Sequence, residues 1–179
     1  YGLILNLSKL EMMQINCDII IRDAEGNAIQ KKDSLKYLGA LLHKSGRIES
    51  ELGYRLPMAK SEFCTLSQIW KSIHIDQFRK MQLYQSLILS KVMYGMQSAW
   101  LSKQLRKKLD AFHYWCLRKI LRIPHSFLSH ISNKEVGKKA KMMPLSQMLL
   151  QQQLLYYGKV ARNSAHPVHQ VIFDANGSI

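Results

Sequence analysis

Asp33-Ser34-Leu35-Lys36-Tyr37-Leu38-Gly39-Ala40-Leu41-Leu42-His43-Lys44-Ser45-Gly46 contains two short apolar runs that meet at Leu38-Gly39. Glycine takes the positive φ that a tight hairpin turn demands, so the stretch predicts paired strands over Ser34–Tyr37 and Ala40–His43. Both faces of such a hairpin are apolar, with Tyr37 and Leu41 read to one side and Leu38, Ala40 and Leu42 to the other. Each face then asks for something against it, and either core or a binding partner would serve.

Upstream of the hairpin, residues 11–15 and 18–22 lean towards β structure, residues 23–27 carry turn chemistry, and residues 28–32 read as a return strand. Downstream, the period changes from two to about 3.6. Ile48, Leu52, Leu56, Ala59, Phe63, Leu66 and Trp70 fall on one helical face, which Pro57 is expected to kink or break near Leu56. Asp76 is an N-cap for a second helix with Met81, Tyr84, Ile88 and Val92 on its apolar side, closed at Tyr94-Gly95. Ser102 caps a third, with Leu105, Leu109, Phe112, Cys116, Ile120 and Ile123 on one stripe and Pro124 after it. Ser132-Asn133-Lys134-Glu135 is a capping-box pattern, and Pro144-Leu145-Ser146 opens a last long helix. The fold class is therefore α+β, mainly α: small antiparallel hairpins over 1–46, a helical bundle over 47–124 and further helices over 125–179.

Composition bounds the partner. Lys+Arg number 26 against Asp+Glu 12, a net charge of +14, which favours a polyanion: nucleic acid first, an anionic membrane second. No apolar run approaches the roughly 20 residues of a membrane span and the opening lacks a signal-peptide layout, so an intracellular, non-secreted protein, nuclear or cytoplasmic, without a membrane partner is expected. Cys17, Cys64 and Cys116 form no Cys-x-x-Cys pair and read as reduced core thiols. His166/His169 and His125/His130 have no cysteine nearby to complete a zinc site, and no metal site is expected. The third helix is lopsided: Lys103, Arg106, Lys107, Lys108, Arg118, Lys119 and Arg122 stand against Asp110 alone. Of these, Arg106, Lys107, Arg118 and Arg122 are the expected phosphate contacts, and glutamine at all four should leave the fold intact. Tyr114 and Trp115 would stack on bases or simply pack.

These stretches, taken in order, resemble one family, the reverse transcriptases of non-LTR (LINE-type) retrotransposons. Leu35-Lys36-Tyr37-Leu38-Gly39-Ala40-Leu41 is similar to their primer-grip hairpin. Gly2-Leu3-Ile4-Leu5-Asn6-Leu7-Ser8-Lys9-Leu10-Glu11 resembles the block that follows the catalytic Asp-Asp box, with Leu10 replacing a threonine. Leu83 to Gly95 resembles the thumb-helix motif, and Leu109 to Ile123 is the strongest match, with Tyr114-Trp115 where the family has a basic pair. Gln97 to Trp100 keeps the family's tryptophan and loses its acid. Residues 132–135, the helix after Pro144 and His166-Pro167-Val168 resemble the segment beyond the thumb.

The resemblance implies the end of the palm, the primer grip, the thumb and the post-thumb region of such a polymerase. Tyr37, Leu38, Gly39 and Ala40 would contact the primer backbone. Lys9 would sit by the incoming triphosphate, assisting pyrophosphate departure as the one catalytic candidate, with a solvated loop lysine as the plain alternative. The metal-binding carboxylates would lie upstream of Gly2, so Mg²⁺ is expected in the intact polymerase, no cofactor in this fragment, and no polymerase activity from it alone. The expected partners are RNA template, DNA primer and the missing fingers and palm. A basic helical nucleic-acid-binding module without enzymatic activity, derived from such an element, and a protein-interaction fragment remain as alternatives.

Overall fold

The computed structural model describes residue 6 and residues 9–173. Of the block from Gly2 to Glu11, positions 2–5, 7 and 8 lie outside the described residues. The chain forms two compact units, Tyr1–Tyr54 and Arg55–Ile179.

In the first unit, β1 (Ser34–Tyr37) and β2 (Ala40–His43) pair antiparallel with Ser34 opposite His43 and Tyr37 opposite Ala40. Leu38 and Gly39 both have positive φ, 47° and 83°, the requirement of a type I′ turn. This register corrects the face assignment. Directly opposed residues share a face, so Leu35, Tyr37, Ala40 and Leu42 lie together, and Lys36 lies with Leu41. A Leu38 side chain belongs to the tip.

The upstream hairpin is slighter than its sequence promises. Among the described residues it consists of the turn, with the Asp23 carboxylate accepting from the Glu25 and Asn27 amides at 3.0 and 2.8 Å, and isolated bridges at Arg22/Ala28 and Met12/Lys31. Ile15, Ile19, Ile20 and Ile21 are exposed, so their β-propensity finds no second sheet face to pack on.

Helix α1 (Ile48–Thr65) continues past Pro57 without a break. The residue four before the proline, whose carbonyl the ring approaches, is the exposed Gly53, and nothing lies within 4 Å of where its Cβ would be. That turn therefore has room to adjust to the ring. The interruption comes at Leu66, between α1 and α2 (Ser67–Lys71).

Beyond it follow α3 (Gln77–Leu83), a π-helical stretch (Tyr84–Leu89), α4 (Ser90–Met93) and a 3₁₀ turn (Met96–Ser98). Asp76 caps α3, accepting from the Arg79 amide at 2.7 Å. The π stretch inserts a wider turn that the sequence stripe does not reveal, and it advances the buried face. Ile88 and Val92 stay fully buried, and Leu89 and Met93 join them.

The centre of the second unit is α5 (Lys103–Leu121), capped by Ser102. After it come α6 (Ser126–Ser129), α7 (Asn133–Ala140), α8 (Leu145–Arg162) and α9 (His169–Ile172), and α5 contacts α2, α3, α7 and α8. Leu105, Leu109, Phe112, Cys116 and Ile120 are buried as their spacing predicts. An aromatic group completes the core: Phe63 stacks on Trp70 at 4.9 Å and meets Tyr84 edge-on at 6.1 Å. The capping box at Ser132/Glu135 is formed in full. Helix α8 has no side-chain cap of its own. Asp110 of α5 supplies one, accepting from the Ser146 amide at 2.8 Å and its hydroxyl at 2.7 Å.

Only Cys116 is a core thiol; Cys17 and Cys64 are exposed, which corrects the reading of all three as buried. Among the described residues no helix is long and apolar enough to cross a membrane.

Candidate nucleic-acid interface

The hairpin is held from one side. In a two-residue hairpin Tyr37/Ala40 exchange ladder bonds and Lys36/Leu41 do not, so the Leu41 amide points out of the ladder. It donates to the Glu51 carboxylate at 2.5 Å, and Glu51, on the first turn of α1, is 5% exposed. Lys36 lies over the Tyr54 ring at 5.7 Å. These contacts fix the base of the hairpin and leave its tip outside. Tyr37 is 63% and Leu38 76% exposed.

Leucine is a poor choice at this tip on stability grounds. A left-handed Leu costs roughly 1–2 kcal/mol, whereas asparagine is the usual residue at the first position of a type I′ turn. Leu38 is thus an exposed apolar residue in a left-handed conformation. Leu38→Asn is expected to stabilise the hairpin by up to about 1 kcal/mol, visible as slower amide exchange at residues 35–42, while weakening binding to a primer-template duplex. Unchanged exchange would mean that the turn is not strained.

Lys9 is exposed, and its backbone amide donates to the Asn6 carbonyl at 3.1 Å. Nearby, Lys32 pairs with Glu11. No acidic cluster stands near enough to Lys9 to form a metal-held site within the described residues.

The basic residues of α5 divide sharply. Lys103, Arg106, Lys107, Lys108, Lys119 and Arg122 are exposed. Arg106 is partly committed: its Nε donates to the Leu101 carbonyl at 3.0 Å and its guanidinium lies 5.3 Å from the ring centre of Trp100, which is itself exposed. Arg122 occupies the left-handed position that ends α5 and donates to the Lys71 carbonyl. Arg118 is not on this surface. It is 7% exposed, and its guanidinium donates to the Pro124 carbonyl at 2.9 Å, the Ile131 carbonyl at 2.6 Å and the Asn133 amide oxygen at 3.1 Å. The loop that returns from α5 wraps the group and removes it from the phosphate-contact set. Spacing along α5 could not disclose this, since nothing in the helix marks which cation the following loop will cover.

Tyr114 and Trp115 are half-buried. Trp115 packs on Phe63 at 5.4 Å with Lys60 over its ring at 5.2 Å, so it belongs to the core margin. His113, which sequence reading passed over, is fully buried with Nδ1 2.9 Å from the Tyr84 hydroxyl.

Five of the acids among the described residues have structural roles. Asp23 closes a turn, Asp76 and Glu135 cap helices, Asp110 caps α8, and Glu51 holds the hairpin. No group of three or more His, Cys, Asp or Glu among the described residues could hold a metal ion. The described residues thus do not fit a two-metal site. Comparison with protein-family models, curated proteins and solved structures finds no match to this chain.

Proposed function

We propose that this chain is the primer- and template-holding part of an RNA-directed DNA polymerase of the LINE type. The observation that carries the reading is the amino-terminal half of α5. Lys103 stands at the positive end of the helix dipole with Arg106, Lys107 and Lys108 close behind it and no acid in the first turn, so these cations also repel one another. Cations there are disfavoured by a few tenths of a kcal/mol to about 1 kcal/mol each, so the arrangement lowers the stability of the free protein. An anionic partner reverses that sign. The solvent-facing Tyr37-Leu38 tip adds an apolar contact of the kind that a primer-grip hairpin would make against a sugar-phosphate backbone.

The test is a salt titration of the 179-residue chain with a primer-template duplex. Lys103→Gln/Lys107→Gln/Lys108→Gln should lower affinity and reduce the slope of log affinity against log salt by about 0.9 for each lost contact. The same variant should melt no lower than the parent, since it relieves repulsion at the helix start. Unchanged slope and affinity in the folded variant would overturn the proposal, and the protein-interaction alternative would then take its place.

A further inference from the structure

Two cavities of the second unit lie on either side of one residue pair, Lys141-Met142. The first, about 560 Å³, is lined by Tyr114, Lys134, Lys138 and Lys141. The second, about 450 Å³, is lined by Phe78, Gln82, Gln85 and again Lys141. The two adjoin, since Lys141 and Met142 line both. Neither is lined by an acidic residue.

Both are built by specific contacts. Lys134, Lys138 and Lys141 recur at helical spacing on α7 and its carboxyl end, placing their Cα atoms about 6 and 4.5 Å apart along the axis. Met142 folds back so that its amide donates to the Gly137 carbonyl at 2.9 Å. A Cβ at Gly137 would come within 2.9 Å of the Met142 carbonyl oxygen, so glycine is needed for this close turn. Gln77 ties the start of α3 to the end of α7 by donating to the Lys139 carbonyl at 2.9 Å. Phe78, beside it, is 72% exposed. Lys141 itself sits at φ 54°, a left-handed position that glycine would fill with less strain.

We propose that the two form one groove that binds a single nucleic-acid strand, with the three lysines on successive phosphates and the Phe78 and Tyr114 rings against base faces. A cationic groove with aromatic rings, here the exposed Phe78 and the half-buried Tyr114, is the means by which proteins hold unpaired strands with little sequence preference. A duplex, whose base faces are stacked inward, could use the lysines but not the rings. The inference deepens the nucleic-acid reading above and rests on it; the strand would be the unpaired template.

The test uses the 179-residue chain with fluorescein-labelled oligodeoxythymidylate, oligouridylate and a primer-template duplex, each titrated with salt. The parent should bind both single strands with similar affinity, because phosphates and base faces are common to them. Lys134→Gln/Lys138→Gln/Lys141→Gln should reduce the single-strand salt slope by about 0.7 for each lysine. Phe78→Ala should weaken single-strand binding between about fivefold and a hundredfold with no change of slope. Lys141→Gly should raise the melting temperature, by relieving the left-handed strain, and still weaken single-strand binding, which a purely structural lysine would not do. If all three folded variants keep the parent's single-strand affinity, the groove is not the site. Duplex binding that still depends on the α5 lysines would then leave the broader reading standing, whereas a parent that binds neither strand form would end both.

Discussion

Arg118→Gln is expected to destabilise the helical unit by about 3 kcal/mol, the largest effect of any single basic residue on α5. The guanidinium reaches out of α5 to hold residues 124–133, with donors to the Pro124 and Ile131 carbonyls and to Asn133 at 2.9, 2.6 and 3.1 Å. Hydrogen bonds from a charged donor contribute roughly 1.5–3 kcal/mol each, and carbonyls left without a partner in a buried setting incur a desolvation penalty. Glutamine is shorter and has a single amide, so it cannot span these acceptors together. Lysine keeps the charge but lacks the planar fork, and Arg118→Lys should recover only part of the loss. Urea unfolding of the two variants beside Lys107→Gln, whose change should stay within about 0.5 kcal/mol, decides the matter. A loss under about 1 kcal/mol for Arg118→Gln would show that the loop is held by other contacts.

Arg118 also marks the boundary of what the sequence makes legible. Periodicity located α5, its cap at Ser102 and its buried stripe, because these depend on residues within a few turns of one another. The hairpin was legible for the same reason: Gly39 and the apolar runs around it specify turn and register locally. The face that Tyr37 shares depends on the parity of the two-residue turn, which sets it opposite Ala40 and so with Leu35 and Leu42 rather than Leu41. Three features escaped because they depend on distant chain. The fate of Arg118 is set by the loop that follows Pro124; the Asp110 cap on α8 joins residues 36 apart. The near-absence of strand around Ile19-Ile20-Ile21 reflects the lack of a packing surface, which no local propensity encodes. The π stretch at Tyr84–Leu89 has no composition signal, and it shows only as a broadened buried face.

That face carries Tyr84, and with it the second large effect, a loss of stability on mild acidification. His113 is fully buried, its Nδ1 against the Tyr84 hydroxyl, and its Nε2 has no hydrogen-bond partner. Burial lowers its pKa from the ordinary 6.5 to about 4, while Asp110 and the Met143 carbonyl pull weakly the other way. With Cys116 beside it and also held as the thiol by burial, Tyr84 offers the ring no charge to pair with. The imidazole is therefore neutral in the folded protein, hydrogen-bonded through Nδ1 to the Tyr84 hydroxyl. Below pH 6.5 the unfolded chain binds a proton that the folded chain does not, so stability present at pH 7 falls progressively until the folded pKa is reached near 4. The full span corresponds to about 3 kcal/mol, and about 2 kcal/mol should already be lost by pH 5. Glu135, whose carboxylate is held below its ordinary 4.5 by the Ser132 amide and hydroxyl, acts in the same direction, but only at lower pH. The interval from pH 6.5 to 5 thus separates His113 from the Glu135 carboxylate. Urea unfolding across it should show the decline in the parent, whereas His113→Gln, with an amide oxygen able to accept from Tyr84, should be less stable at pH 7 yet nearly flat. A parent whose stability does not change over that interval, or a variant that retains the slope, would place the acid sensitivity elsewhere.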